Sequence, residues 1–432
     1  MTSIVHYTLT GLIFTLITLG IGYTQPNLAM NQLAERYVKL VLAIGQHDPD
    51  YVDAYYGPDA WRSEAELAAQ TLEQISTAVD ATLSELAQLT PAQTELGQRR
   101  YQYLRGQLNA LRARIRILTG ESLSFDEESA ALYDAVAPSH QDSYFDETLA
   151  KLEQALPGTG SLNDRYAAFR EDFVIEPTML NQVFETAITE CRRRTLAHVE
   201  LPSSESFAVE YVTNKSWSGY NWYQGDFRSV IQVNTDLPIY IDRAIDLACH
   251  EGYPGHHVYN VLLEQHLVQE QGWPEFSIYA LFSPQSLIAE GTANYGIEVA
   301  FPATERLDFE QAVLFPTAKL PAARAPEYYR VQSLVAELDY AGNEAARRYL
   351  NGKATRNETT SWLTKHAMMT PARAEQRTHF FDQYRSYVIN YNLGQDLVAT
   401  FINAQSDGTK VSRWHAFTKL LTSPRLPSDL RN

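Results

Sequence analysis

The run DLACHEGYPGHHVYN, residues 246–260, sets His250 and Glu251 ahead of His256 and His257, with Pro254 and Gly255 between the two pairs. Imidazoles and carboxylates gathered this way are zinc ligands by type, and in helices of the H-E-x-x-H kind the Glu acts as general base toward water held by the metal. There the second histidine lies one helical turn after the first; here that position is Pro254. At roughly 100° per residue, an unbroken helix turns His256 away from the face of His250. His257 returns to that face but lies about 10 Å along the axis, too far for two imidazoles to share one ion. A straight helix therefore fails. Pro254 removes the bond to the carbonyl of residue 250 and Gly255 tolerates unusual backbone angles, so the sequence predicts a helix that kinks or ends and swings a histidine back toward His250. Glu251 then stands where a general base is needed.

Two histidines need a third ligand, and SPQSLIAEGTANYGIEVAF, residues 283–301, offers one. Ser283 and Pro284 announce a helix start, and Glu290 falls on that helix. Gly291 costs about 1 kcal/mol against Ala in a helix, which makes sense where two helices approach closely around a metal. Asn294 and Glu298, one and two turns on, share the face of Glu290 and can hold the histidines from behind. Two His and one Glu with a fourth position open is a catalytic arrangement for Zn2+. The bland alternative is a polar helix end and a carboxylate met by chance; the Pro-Gly bend and the Glu-Gly helix together weigh against it.

These residues need a scaffold, and the chain predicts a mainly α one. Leu33, Tyr37, Leu40, Val41 and Ile44 fall at helical spacing, as do Leu72, Ile75, Val79, Leu83 and Leu86, then Tyr101, Leu104, Leu108, Leu111, Ile115 and Leu118. An N-terminal helical region over 28–200 follows, and a region carrying the metal site over 201–432. At 227–234 the pattern changes to a period of two, with Phe227, Ser229, Ile231 and Val233 on one face; this predicts a small β element next to the metal helix. A free edge on that strand would suit an extended peptide. Thr235 or Asp236 would cap a helix starting near Pro238. The cluster Tyr51, Tyr55, Tyr56 and Trp61 reads as packing.

With 35 Lys and Arg against 52 Asp and Glu the net charge is −17, which repels nucleic acid and excludes it as a partner. Arg192–Arg194 point three ways on a helix and read as a solvated face. Cys191 and Cys249 can form at most one bridge, and Cys249 reads as a packed thiol. Residues 1–22 hold an apolar stretch shorter than the roughly 20 residues of a spanning helix, followed by Gly20 and Gly22. No Lys or Arg precedes it. A signal peptide, and so export to periplasm or exterior, is favoured over an N-terminal membrane anchor.

HEGYPGHH, EGTANY, YNLG at 391–394 and the upstream VIQVNT resemble a bacterial zincin-like family of unknown function, mostly helical, whose hallmark is H-E-x-x-P-G-H-H, then an E-G-x-x-x-Y helix and a late Y-x-x-G. The resemblance covers about residues 210–400. It implies a zincin-like helical metallopeptidase architecture and a gluzincin-type site: His250, His256 and Glu290 as metal ligands, Glu251 as base, a peptide as substrate. It also draws Tyr391 in as a donor to the oxyanion of a tetrahedral intermediate. The Trp usual after the second Glu-Gly is Thr292 here, which bears on pocket shape and leaves the metal ligands in place. The expectation is a zinc peptidase. Its rivals are a metal-binding scaffold without hydrolysis and a zinc hydrolase of other amides or esters. Arg324, Arg330 and Arg385 are candidates for a substrate carboxylate, with structural ion pairing as their other fate.

Overall fold

The computed structural model describes residues 25–431; the apolar segment read as signal peptide or anchor lies outside the described residues. The chain is mainly α-helical. Its first long helices are α1 (Gln25–Gly45), α2 (Leu72–Gln88) and α3 (Glu95–Leu118). Their starts are set by side chains: Thr71 accepts from Gln74 N while Gln74 returns to Thr71 N, and Thr94 accepts from Gly97 N. The stripe of Leu33, Tyr37, Leu40, Val41 and Ile44 is buried, together with Ile75, Val79, Leu104, Leu108 and Leu111. That core also takes Phe282, Leu287, Phe381 and Ile389 from late in the chain. A second core joins Tyr103 to Phe173, Ile245, Val258 and Phe417. Each core draws on residues from both sides of position 200; what changes there is the texture, as strands enter.

Five strands form two small sheets among the described residues: β1 (Val52–Tyr55), β2 (Ser206–Val212), β3 (Gly219–Gly225), β4 (Arg228–Asn234) and β5 (Ile278–Ala280). β1 and β5 pair antiparallel, and β4 is central in the other sheet, parallel to β2 and antiparallel to β3. Ser229, Ile231 and Val233 are buried, as a period of two requires. Both edges of β4 are thus taken, and the expectation of a free edge there is corrected. The outer strand beside the site is β3.

The helix leading into the motif is α4 (Asp242–Leu247), which begins later than Pro238. Tyr240 is held in an antiparallel bridge to Val174, as Ile175 N donates to Ile239 O (2.8 Å) and Ile241 N to Phe173 O (3.0 Å), so the helix can start only after it. After it come α5 (His256–Leu263), α6 (Pro284–Ala300), α7 (Pro371–Tyr384) and α8 (Ile389–Gln405). Pro284 occupies the first turn of α6, where its missing N–H costs nothing.

Candidate metal centre

From α4 the chain widens into a π-type turn at Ala248–Gly252, and Tyr253 is extended, its bond to Pro254 cis. Tyr253 N reaches back to Ala248 O (3.1 Å) and Gly255 N to Cys249 O (2.9 Å), which ends the first helix and lets α5 start at His256. A Cβ on Gly255 would lie 1.9 Å from His250 O and 2.4 Å from Cys249 O, so this reversal admits no side chain. Close approach, with φ at −78°, is the reason for glycine. The bend does what the straight helix could not: His256 Nε2 comes within 3.1 Å of His250 Nε2.

Glu290 on α6 completes the group, its Oε2 3.3 Å from His250 Nε2 and 3.6 Å from His256 Nε2. Tetrahedral ligands at the usual Zn–N and Zn–O lengths stand about 3.3–3.6 Å apart; two of the three separations fall in that range and the 3.1 Å between the imidazoles is slightly shorter, close to what one ion needs. Glu290 Oε2 is buried and has no hydrogen-bond partner among the described residues, an acceptor that a cation would satisfy. Asn294 Oδ1 lies 2.9 Å from His250 Nδ1, and Asn294 Nδ2 donates to Tyr391 O (3.0 Å). The amide is thereby oriented, Nδ1 carries the hydrogen, and Nε2 keeps a lone pair aimed at the group. Tyr387 OH donates to Glu290 Oε1 (2.7 Å) and leaves Oε2 free. Burial acts to raise the Glu290 carboxyl, but His256 and His250 outweigh it and hold the group well below the usual range. Burial acts to lower His256, and the Glu290 carboxylate outweighs that, bringing it up to about 9. Without an ion this cluster holds a proton that a metal would displace.

α6 meets α8 glycine to glycine. A Cβ on Gly291 would lie 2.5 Å from the carbonyl carbon and oxygen of Gly394, and one on Gly394 would lie 2.8 Å from Leu287 O. The Glu-Gly and the late Y-x-x-G are two sides of one crossing, which seats Tyr387 and Tyr391 beside Glu290.

The group opens on a cleft of about 630 Å³, also lined by Glu251, Tyr391, Tyr220 and Asp53. Glu251 is 5% exposed, and Asn221 Nδ2 on β3 holds its main-chain carbonyl (2.7 Å). Burial pushes its carboxyl up against the pull of His250 and His256. Tyr391 lines the cleft, and its hydroxyl makes no hydrogen bond with a described residue. Glu298 also faces the cleft but accepts from Gln395 (2.8 Å) and does not touch the histidines, so of the two proposed supports only Asn294 serves. His257 belongs elsewhere, bonded to Ser229 and Glu205. Cys249 is outside the ligand group, its Sγ 2.8 Å from that of Cys191. Thr292 turns its hydroxyl back on Ile288 O (2.8 Å).

No protein-family model matches the chain, and no curated protein does. Solved structures do. A candidate lipoprotein from Colwellia psychrerythraea superposes with a TM-score of 0.51 at 14% identity, over 84% of this chain and 62% of that one. The chain therefore spans less than two thirds of that relative. A candidate lipoprotein of unknown function from Shewanella oneidensis gives 0.45 at 14% identity, over 87% and 78%. The Colwellia structure shares the fold. No helix among the described residues is long and apolar enough to cross a membrane.

Sequence reasoning missed Tyr387 and Asp53. Tyr387 lies four residues before Tyr391, one turn away, which was a usable signal. Asp53 comes from β1, far from the motif, and accepts from Tyr220 OH; burial lifts its carboxyl to about 6, against the pull of that hydrogen bond. Nothing in the spacing of the sequence joins Asp53 to His250.

Proposed function

We propose that the chain is a zinc-dependent peptidase that hydrolyses peptide bonds. The observation that carries this reading is the separation of His250 Nε2, His256 Nε2 and Glu290 Oε2, all within 4.8 Å of one another, at the floor of a cleft that also holds Glu251. Zinc, when bound there, would supply Lewis acidity and lower the pKa of water. Glu251, raised by burial and thus suited to hold a proton, takes one from the attacking water as the new C–O bond forms and passes it to the leaving nitrogen as the C–N bond then breaks. The Tyr391 phenol, unbonded in the cleft, donates to the oxygen where negative charge grows. Tyr387 and Asn294 keep the ligands oriented. β3, the outer strand along the cleft, offers main-chain groups to an extended peptide.

The zincin-like family resemblance agrees with this assignment, and the apolar first segment supports export. The deciding experiment is Glu251→Gln: hydrolysis of a peptide library falls by about 10²–10⁴-fold while zinc, read by mass spectrometry, stays at the wild-type level. Undiminished hydrolysis would remove Glu251 from the mechanism; absence of hydrolysis in the wild type with metal retained would favour a metal-binding scaffold.

A further inference from the structure

The cleft holds two guanidiniums that no carboxylate of a described residue contacts. Arg373 and Arg377, one turn apart on α7, both line the cavity that contains the metal ligands. Among the described residues neither forms an ion pair. Arg373 donates to the Gln376 side chain; the Arg377 guanidinium makes no hydrogen bond with a described residue and lies over Phe380, Phe381 and Tyr391, at 4.5, 5.6 and 5.6 Å from the ring centroids. Arg243 stands in the same cleft, 3.2 Å from Asp246. Burial, then repulsion from Arg377 and Arg243, pushes Arg373 down to about 10. Asp339 lines the cleft too, yet lies beyond ion-pair contact with either arginine.

The three arginines first considered for a substrate carboxylate are not available for it in this cleft. Arg324 pairs with Asp172 and Glu327, and Arg385 with Glu128, so two of the three arginines first considered for a substrate are structural; Arg330 is exposed outside the cleft. A guanidinium lining a cavity with no carboxylate in contact leaves donors to a ligand, and its planar fork fits a carboxylate with two parallel bonds. Arg377 reaches the Tyr391 ring, which is 5.8 Å from that of Tyr387, whose hydroxyl holds Glu290. The charge thus sits two rings from the metal ligands, and a cavity of this size takes only a short stretch of peptide.

We propose that Arg373 and Arg377 bind a carboxylate of the substrate close to the scissile bond, the free C-terminal carboxylate of a short peptide or an acidic side chain next to that bond. This rests on the peptidase reading for its chemistry, though its test does not depend on turnover. The probes are an N-acetylated neutral dipeptide as free acid, the same dipeptide amidated, and an amidated dipeptide ending in glutamate. Each is titrated calorimetrically into the zinc-loaded full chain carrying Glu251→Gln, which cannot consume it. The free acid is expected to bind about 10- to 100-fold tighter than the neutral amide, an advantage that collapses in Arg373→Gln and Arg377→Gln, partly returns in Arg377→Lys, and persists in Arg324→Gln. Tight binding of the glutamyl amide alone, lost in the same variants, assigns the carboxylate to a side chain and sustains the proposal. Equal binding of acid and amides, no binding of any probe, or an acid preference that survives both Gln variants in folded protein overturns it. Should the arginines discriminate as expected while wild type cleaves none of the three probes, the peptidase reading fails and the carboxylate site stands.

Discussion

His256 and His257 are neighbours in the sequence and both are buried, yet they end in opposite conditions. His257 is closed. Glu205 can only accept, so His257 Nε2 donates to it (3.0 Å), and Ser229 Oγ donates to Nδ1 (2.9 Å). Glu205 is itself bonded by Tyr253 OH (2.5 Å) and Arg192 Nη2 (2.6 Å). His256 is open: it faces another imidazole nitrogen and a carboxylate oxygen that lacks a hydrogen-bond partner among the described residues. Two histidine–glutamate clusters one residue apart therefore teach different things. A polar group with every valence filled holds a fold together; one with valences aimed at a shared point is built for something absent from the chain. The first cluster pins the sheet to α5, which in turn sets where His256 points.

The sharpest way to break the comparison is to exchange the roles. His256→Ala and Glu290→Ala are expected to strip the metal, from about one zinc per chain to background in elemental mass spectrometry. His257→Gln, which can still donate to Glu205 and accept from Ser229, is expected to keep it. Metal lost from the His257 variant and kept in the His256 variant would reverse the assignment. Next in size is Tyr387→Phe. It removes the hydrogen bond that orients Glu290 Oε1, and zinc affinity measured by competition with a chelator should fall by about 10- to 100-fold. An unchanged affinity would leave the tyrosine as packing only. Below that lies Gly291→Ala, which presses a methyl group into the backbone of Gly394; about 1–3 kcal/mol of stability should be lost in urea unfolding of the metal-free chain.

Much of the open cluster was legible in the sequence, because its signals are local. The residue Pro254 forbids the straight helix, Gly255 marks where the backbone folds on itself, and Glu290 and Asn294, four apart on the helix that Pro284 opens, share a face. The three amphipathic helices at the N-terminal end were equally legible, since a buried stripe repeats every turn. Other features depend on pairings between distant segments. The late start of α4 follows from bonds to residues 173–175, the sharing of β4's edges from β2 and β3, and Asp53's place from β1 lying against β5. The closed cluster was invisible for the same reason: Glu205, Ser229, Tyr253 and His257 have no common spacing, and only the fold unites them. Arg192, read as part of a solvated face, is one of its members.

The closed cluster carries the last test, through pH. Burial acts to raise Glu205, but the hydrogen bonds from His257, Tyr253 and Arg192 outweigh it and hold the carboxyl at about 2, below its ordinary 4.5. For a folded pKa depressed in this way, the stabilisation is complete above the unfolded value and fades as pH falls from about 4.5 toward 2. His257 adds to the same slope. Burial lowers its pKa below 6.5 despite Glu205, so protons favour the unfolded chain once the pH drops beneath that value. Wild-type stability in urea, measured on metal-free protein so that the open cluster's ion does not enter, should therefore decline on acidification from about pH 6.5. In Glu205→Gln the part of the decline between about 4.5 and 2 should flatten, by on the order of 2 kcal/mol across the window. The substitution removes the depressed carboxyl and keeps an acceptor for the histidine, so the protein should stay folded at neutral pH. An acid limb equally steep in the variant would mean that the other buried carboxylates set it, and that the closed cluster is merely satisfied, without the electrostatic grip that distinguishes it from its open neighbour.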